Sequence, residues 1–375
     1  MNNRERYINT LTFRSVDKIP LSPGYPREST LAIWHTQGLP EGVDYDEYMA
    51  DILGIGPYPK KAHIQLDVDF KLRPWFEEKV LEKKDGHLIV QDWMGSIVEI
   101  SDQYDFTYLR EPKDFVTRRW LRFPVESRQD WYEMKKRYDA FDEERLPANF
   151  ESVCRNAQNR EEPLALKING PFWQLREWVG FENLCMMFAD DPDLVEEMAA
   201  FWCDFVSDVL DRILSVITPD TVCLAEDMAY KAHSMISPEM TRTYIMPSYK
   251  RWASRIRAAG CPIIDVDSDG YVADLIPIWI ESGVNVCNPM EVAAHNDIVA
   301  YRGIYGKNMA YTGGIDKRAI AAGGDAMRDE VMRVVPPLLK DGGFIPSCDH
   351  GVPPDISWTA YLDYARLLAS LTGWI

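Results

Sequence analysis

Long apolar runs, an excess of basic residues and paired cysteines are all missing from this 375-residue sequence. No stretch approaches the ~20 consecutive apolar residues that cross a bilayer. The N-terminal MNNRERYINTLTFRSVDKIP is a polar, amphipathic helix signal without the apolar centre of a secretory leader. Acidic residues outnumber basic ones 59 to 41, for a formal net charge of −18. A field of that sign repels nucleic acid and anionic membranes, so neither is expected as a partner. The seven cysteines are scattered and form no CxxC pair, which points to a reducing, cytoplasmic setting and away from a disulfide framework. No GxGxxG follows any strand candidate, and this removes the main support for a dinucleotide-binding sheet. Low-complexity tracts and linkers are absent as well, so residues 1–375 are expected to form one domain, irregular over about 1–160.

Aromatic residues are plentiful: 12 Trp, 18 Tyr and 14 Phe. Most of them suit a large core, and the remainder could line a pocket for a flat apolar ligand. Beyond residue 160 the chain alternates apolar strand candidates with amphipathic helices. The candidates are 164–168 (LALKI), 222–225 (VCLA), 262–266 (PIIDV), 284–287 (VNVC), 308–312 (NMAYT) and 343–346 (GFIP). Short continuous apolar runs suit strands buried on both faces of a parallel sheet. Helices are expected from Asp190 to about Ser215, from Ser237 onward with a kink near Pro247, over 271–282 and over 324–340. Six strand–helix units, with room for two earlier ones, predict a (β/α)8 TIM barrel better than an open doubly wound sheet. Residues 87–100 read as a β-hairpin inserted near the first barrel units, and 110–145 as charged and helical.

The site of such a barrel lies at the C-terminal ends of its strands, and nearly every candidate strand here is followed by a carboxylate or a metal-capable side chain. Glu226 and Asp227 follow the second, Asp267 and Asp269 the third, Asn288-Pro-Met-Glu291 the fourth, and Cys348-Asp-His350 the last. Asp267 and Asp269 share strand parity, and with His350 would offer three donors suited to Zn2+, Mn2+ or Fe2+ with one position left open. The competing reading has both aspartates capping the next helix. Glu226 and Asp227 are either a general acid/base pair, with Glu226 also a fourth ligand, or a buried pair bonded to backbone amides. Cys348 is a further candidate ligand, weakened by the lack of a partner cysteine.

Several segments resemble the uroporphyrinogen decarboxylase superfamily. They are Arg4-Glu-Arg-Tyr-Ile-Asn-Thr-Leu leading to Asp17-Lys-Ile-Pro20, Gly170-Pro-Phe-Trp-Gln-Leu-Arg-Glu-Trp178, the Ser237-Pro-Glu-Met segment with Pro247-Ser-Tyr-Lys250, and Gly283-Val-Asn-Val-Cys-Asn-Pro-Met-Glu291. The resemblance implies a (β/α)8 barrel of that family's type, with the hairpin and irregular helices as a small N-terminal insertion. The decarboxylase arm carries an Arg-Gln-Ala-Gly-Arg segment that holds substrate carboxylates. This chain has Pro20-Leu-Ser-Pro-Gly-Tyr-Pro-Arg-Glu-Ser29 in that region, with one arginine. The other arm comprises corrinoid-dependent methyltransferases, whose thiol-methylating members bind zinc through His-x-Cys-Gly and a later cysteine. Asp267-Ser-Asp-Gly270 stands where His-x-Cys-Gly would, and His350 where the later cysteine would, so the resemblance implies Asp267, Asp269 and His350 as metal ligands.

Carboxylate ligands leave an ion more Lewis acidic and match it to an oxygen donor. The expected activity is thus methyl transfer from an O-methylated substrate, a methoxylated aromatic, to the Co(I) corrinoid of a partner protein, with Zn2+ or another divalent ion. Trp173, Phe172 and Tyr25 are candidate walls for the ring. The chain has no Asp-x-His-x-x-Gly corrinoid signature, so the corrinoid is expected from the partner; a homodimer is compatible with the sequence. The alternative is a decarboxylase or lyase that uses the rim carboxylates without metal.

Overall fold

The computed structural model describes residues 1–56, 63–105, 109–110 and 117–375. In chain order its strands begin with β1 (Ile64–Gln65), β2 (Lys79–Lys84), β3 (His87–Gln91), β4 (Ile97–Ser101) and β5 (Arg118–Arg122). They continue with β6 (Leu164–Asn169), β7 (Thr221–Ala225), β8 (Ile263–Asp267), β9 (Val286–Asn288), β10 (Ala310–Ile315) and β11 (Phe344–Cys348). Two compact units emerge, one of 1–67, 147–168 and 210–375, the other of 68–146 and 169–209.

The first unit carries the barrel. Its strands run in the order β1-β6-β7-β8-β9-β10-β11, with parallel pairing of β1 to β6, β7 to β8, β8 to β9, β9 to β10 and β10 to β11. The extended segment before the helix Glu28–Thr36 runs beside β11: Cys348 N–H donates to Pro23 O at 3.1 Å, and Pro26 bridges Val352 in parallel. That segment supplies an eighth stave, so it and β1 fill the two places that the sequence left before residue 160. Crossover helices follow the strands, as a parallel sheet requires. After Ser237 the helix breaks where the proline predicted it: a π-turn over Thr241–Ile245 separates Pro238–Met240 from Met246–Ala258, which starts with Pro247 in its first turn. The helix expected over 271–282 is shorter, Ile276–Glu281.

The N-terminal helix Asn3–Leu11 closes the barrel floor. Leu11 packs against Ile263, Val286, Ala310 and Ile345 from four successive strands, with Tyr7, Ile8 and Phe13 around them. Asp220, almost fully buried, fixes this helix by accepting from Arg4 Nε at 3.0 Å and Arg160 Nε at 2.8 Å, and from the N–H of Leu164. These contacts explain why a polar helix carries one apolar face: it is a plug.

The second unit pairs an antiparallel sheet, β2-β3-β4-β5, with a cluster of aromatic residues. The expected hairpin is there as β3 and β4, and Asp92 shapes its turn by accepting from the N–H groups of Met94 and Ser96. The segment 110–145 differs from expectation. Arg118–Arg122 is a strand, Arg128–Lys135 a helix, and 111–116 lie outside the described residues. RRWLR forms an edge strand exposed along most of its length, so its charges reach water without a helix. Trp131, Tyr138, Trp178, Phe201 and Trp202 pack together, Trp131 tilted against Trp178 and the Trp131–Phe201, Tyr138–Trp178 and Tyr138–Trp202 pairs edge to face. Arg145 is buried there, donating to the carbonyls of Asp69 and Lys71 with its guanidinium 4.5 Å from the Phe205 ring centroid.

The plug generates a stability prediction. Leu11→Ala should leave a void between four strands and lower the unfolding free energy by about 2–5 kcal/mol in urea titrations. A negligible loss would mean that the floor is held by the Asp220 ion pairs and not by packing.

Candidate active site at the strand ends

Strand pairing fixes which side chains face the lumen. Cys223 pairs with Asp265 and Ala225 with Asp267, while Asp265 pairs with Val286. Ile263 and Val286 belong to the plug layer, so Cys223, Ala225, Asp265 and Asp267 share the inner face above it. Asp265 is buried, accepting from Thr221 Oγ1 and Asn288 Nδ2, both at 2.9 Å. Asp267 accepts from Lys167 Nζ at 3.2 Å, and that ion pair reaches from β6 to β8 across the small side chains of β7.

Past Asp267 the chain leaves β8. Ser268 N–H donates to Asn288 O, Asp269 N–H to Asp227 Oδ1, and Ser268 Oγ accepts from Met228 N–H. Gly270 has φ +83°, and a Cβ there would lie 2.3 Å from the Ala229 carbonyl oxygen, so glycine is required. Its N–H donates to Glu291 Oε2 at 3.0 Å. Asp349, wholly shielded from solvent after β11, accepts from Val292 N–H at 2.9 Å and Lys317 N–H at 3.2 Å. These bonds bring together three side chains from the ends of β8, β9 and β11. Asp269, Glu291 and His350 each offer a donor atom, and all three atoms lie within 4.8 Å of one another.

The electrostatics of this cluster are defined by two cations. Lys317 Nζ donates to Glu291 Oε1 at 3.0 Å. Arg27 Nη2 lies 3.2 Å from His350 Nδ1, and His350 Nε2 lies 3.1 Å from Asp269 Oδ2. A guanidinium only donates, so Nδ1 accepts and Nε2 carries the proton given to Asp269. That bond to Asp269 raises the imidazole above its ordinary value.

Of the three expected ligands, then, Asp269 and His350 meet and Asp267 does not join them. Glu291 takes the third place. Asp267 is still in strand register and faces Lys167, whereas Asp269 is turned onto the rim by the loop after β8. Glu226 stands on the opposite face of β7 from Cys223 and Ala225. It is fully buried, accepts a short hydrogen bond from the Tyr249 hydroxyl, and lies outside the cluster. Asp227 touches the site through Asp269 N–H and adopts φ +47° to do so. Cys348 pairs with Ile315 on the face opposite Ser347, outside the cluster, and burial pushes its thiol up to about 12. Tyr25 is exposed in the first unit. Phe172 and Trp173 belong to the second unit, Phe172 fully buried in its core and Trp173 donating to Glu177 Oε1 at 2.7 Å. Glu291, Lys317, Arg27 and Asp349 were not singled out from sequence; the only signal for Glu291 was a carboxylate three residues past a strand end.

The sequence pattern of the family described as Uroporphyrinogen decarboxylase (URO-D) matches residues 120–361, nearly two thirds of the chain. The chain belongs to that family. Its decarboxylase-family barrel is similar to a methyltransferase from Methanosarcina mazei, at 11% identity and a TM-score of 0.55 over 100% of this chain and 98% of that one. A B12-independent methionine synthase from Shewanella sp. W3-18-1 in complex with selenomethionine is 12% identical over 61% of this chain and 67% of that chain, with a TM-score of 0.40, too low to bear on the site. No curated protein sequence matches the chain. Among the described residues no helix is long and apolar enough to cross a membrane.

The lumen carboxylate gives a pH prediction. Burial pushes the Asp265 carboxyl from 3.8 to about 6. Between those values the native state holds a proton that the unfolded chain has released, so this stability is present at the acid end and lost as pH rises through about 6. The difference in unfolding free energy between wild type and Asp265→Asn should fall by about 3 kcal/mol across that window. Parallel curves would show that Asp265 does not titrate there.

Proposed function

We propose that this protein is a methyltransferase that moves a methyl group from an O-methylated substrate, a methoxylated aromatic, to the Co(I) corrinoid of a partner protein. The observation that carries the reading is the convergence of Asp269, Glu291 and His350 at the open ends of β8, β9 and β11. The full-length likeness of the barrel to a methyltransferase supports it.

Two carboxylates and one imidazole suit zinc or another divalent transition ion, and the donor atoms are close enough to converge on one with small side-chain rotations. A bound ion would supply Lewis acidity at the ether oxygen, whose departure as a basic aryloxide is the difficult part of the reaction. The chain's own residues do the rest. Asp269, Glu291 and His350 would hold the ion; Asp227 and Gly270 fix the loop that presents Asp269; Lys317 donates to Glu291 and holds its carboxylate in place. Ligation through His350 Nε2 takes the place of the proton now given to Asp269, and it requires Arg27 to leave Nδ1, which must then carry the ring's proton. The barrel floor is closed by the Leu11 layer, so substrate and corrinoid both approach at the strand ends. A reducing cytoplasm suits Co(I) and the unpaired cysteines.

The Arg27–His350–Asp269 chain also favours a second reading, a decarboxylase or lyase in which the rim groups move protons without metal. Elemental analysis separates the two. About one divalent ion per chain is expected in the wild type, lost in Asp269→Ala, Glu291→Ala and His350→Ala, and retained in Asp267→Ala. Folded protein that takes up no ion when zinc, manganese or iron is offered would favour the proton-transfer reading.

A further inference from the structure

Lys167 is an unusual occupant of a barrel strand. Leu166 and Ile168 beside it are buried, yet its own side chain is 59% exposed and that of Asp267 33% exposed. A lumen wall is ordinarily filled by branched apolar residues, as the layer around Leu11 is. Above that layer the wall turns small and polar, with Cys223 and Ala225 on β7 between the two charges. Protein around the ammonium desolvates it, although Asp267, Cys223 and Asp265 together outweigh that and raise its pKa overall. Exposure together with desolvation describes a group on the wall of a concavity. An ion pair this open contributes only about 0–1 kcal/mol to folding, which makes stability a poor reason for its presence. The ammonium has three N–H donors, and Asp267 is its one hydrogen-bond acceptor among the described residues.

We infer that Lys167, held in place by Asp267, is an anchor for the carboxylate of the substrate, which makes the methyl donor a methoxylated aromatic acid. The inference rests on the methyl-transfer reading for the word donor, and on the lumen geometry for the carboxylate. Asp265 and Asp267 flank the lysine; so much nearby negative charge disfavours a dianion such as phosphate and leaves a monocarboxylate as the fitting anion. Asp267 precedes Asp269 by two residues, so their Cα atoms lie at most about 7 Å apart, about the span of one substituted benzene ring. A carboxylate held at Lys167 therefore sets the ring along the lumen axis with its methoxy group outward, beside Asp269, Glu291 and His350 and facing the open end.

The test is equilibrium binding of meta- and para-methoxybenzoate, against the matching methoxybenzyl alcohols, to the purified full-length protein, with folding of each variant checked by circular dichroism. Wild type should bind at least one acid tenfold or more tightly than its alcohol. Lys167→Gln should abolish that preference without weakening the alcohol. Asp267→Asn should strengthen acid binding, because it frees the ammonium and removes a repelling charge. A purely structural ion pair would give two variants with the same effect. Equal binding of acid and alcohol by wild type, binding of neither, or a preference that survives Lys167→Gln overturns the inference. Lys167-dependent binding without methyl transfer to a reduced corrinoid protein would keep the carboxylate anchor and reject the methyltransferase reading.

Discussion

The Asp349 carboxylate is the interaction on which the rim depends. It has no exposed surface, and both of its oxygens accept backbone N–H groups, from Val292 and from Lys317. Its own N–H donates to Ile315 O at the end of β10. One side chain thus ties the loops after β9, β10 and β11, which carry Glu291, Lys317 and His350. Without those bonds two partly buried amides would lack these partners, each costing up to about 1–3 kcal/mol. The loops after β7 and β9 contain residues in left-handed backbone conformations, Asp227 at φ +47° and Met290 at φ +62°. Strain of that kind persists only where neighbours over-determine the chain, and here the neighbours are Asp349, Asn288 and the Ala229 carbonyl against Gly270.

From floor to rim the barrel changes chemistry in layers. Leu11 and four strand residues make a dry floor. Asp265, Thr221 and Asn288 form a buried hydrogen-bonded layer above it, followed by the Lys167–Asp267 pair and then by the donors of the rim. The sequence of layers has a mechanical consequence. A ligand cannot pass through, so whatever enters must leave by the same mouth, and its reactive end is the one nearest that mouth.

Much of this was legible in the amino-acid sequence, because parallel barrel strands are short apolar runs with turn signals at each end. Six strands, the hairpin and the break before Pro247 followed from that. Asp269 and His350 were legible for the same reason, since both close a strand. Parity then misled at Asp267: equal spacing from Asp265 to Asp267 to Asp269 puts all three on one face only while the chain stays extended, and it stays extended only to Asp267. Parity would have excluded Glu226 and Cys348 had the pairing been known, since each stands one residue from the lumen-facing set. Glu291 was hidden because its reach depends on the loop after β9, whose path is set by bonds from Asp349 and Gly270, contacts far apart in sequence.

The imidazole of His350 joins these strands of argument. Its Nε2 holds a proton toward Asp269 as long as Arg27 donates to Nδ1, and it could hold an ion only if Arg27 did not. A proton and a metal would therefore exclude each other at one atom, and Arg27, at the end of the extended segment beside β11, would decide between them. Arg27 follows directly on Pro26, which bridges Val352 beside His350, so any ligand that shifts this stave also moves the guanidinium. The seam between that extended segment and β11 is where occupancy of the rim and its charge would be coupled.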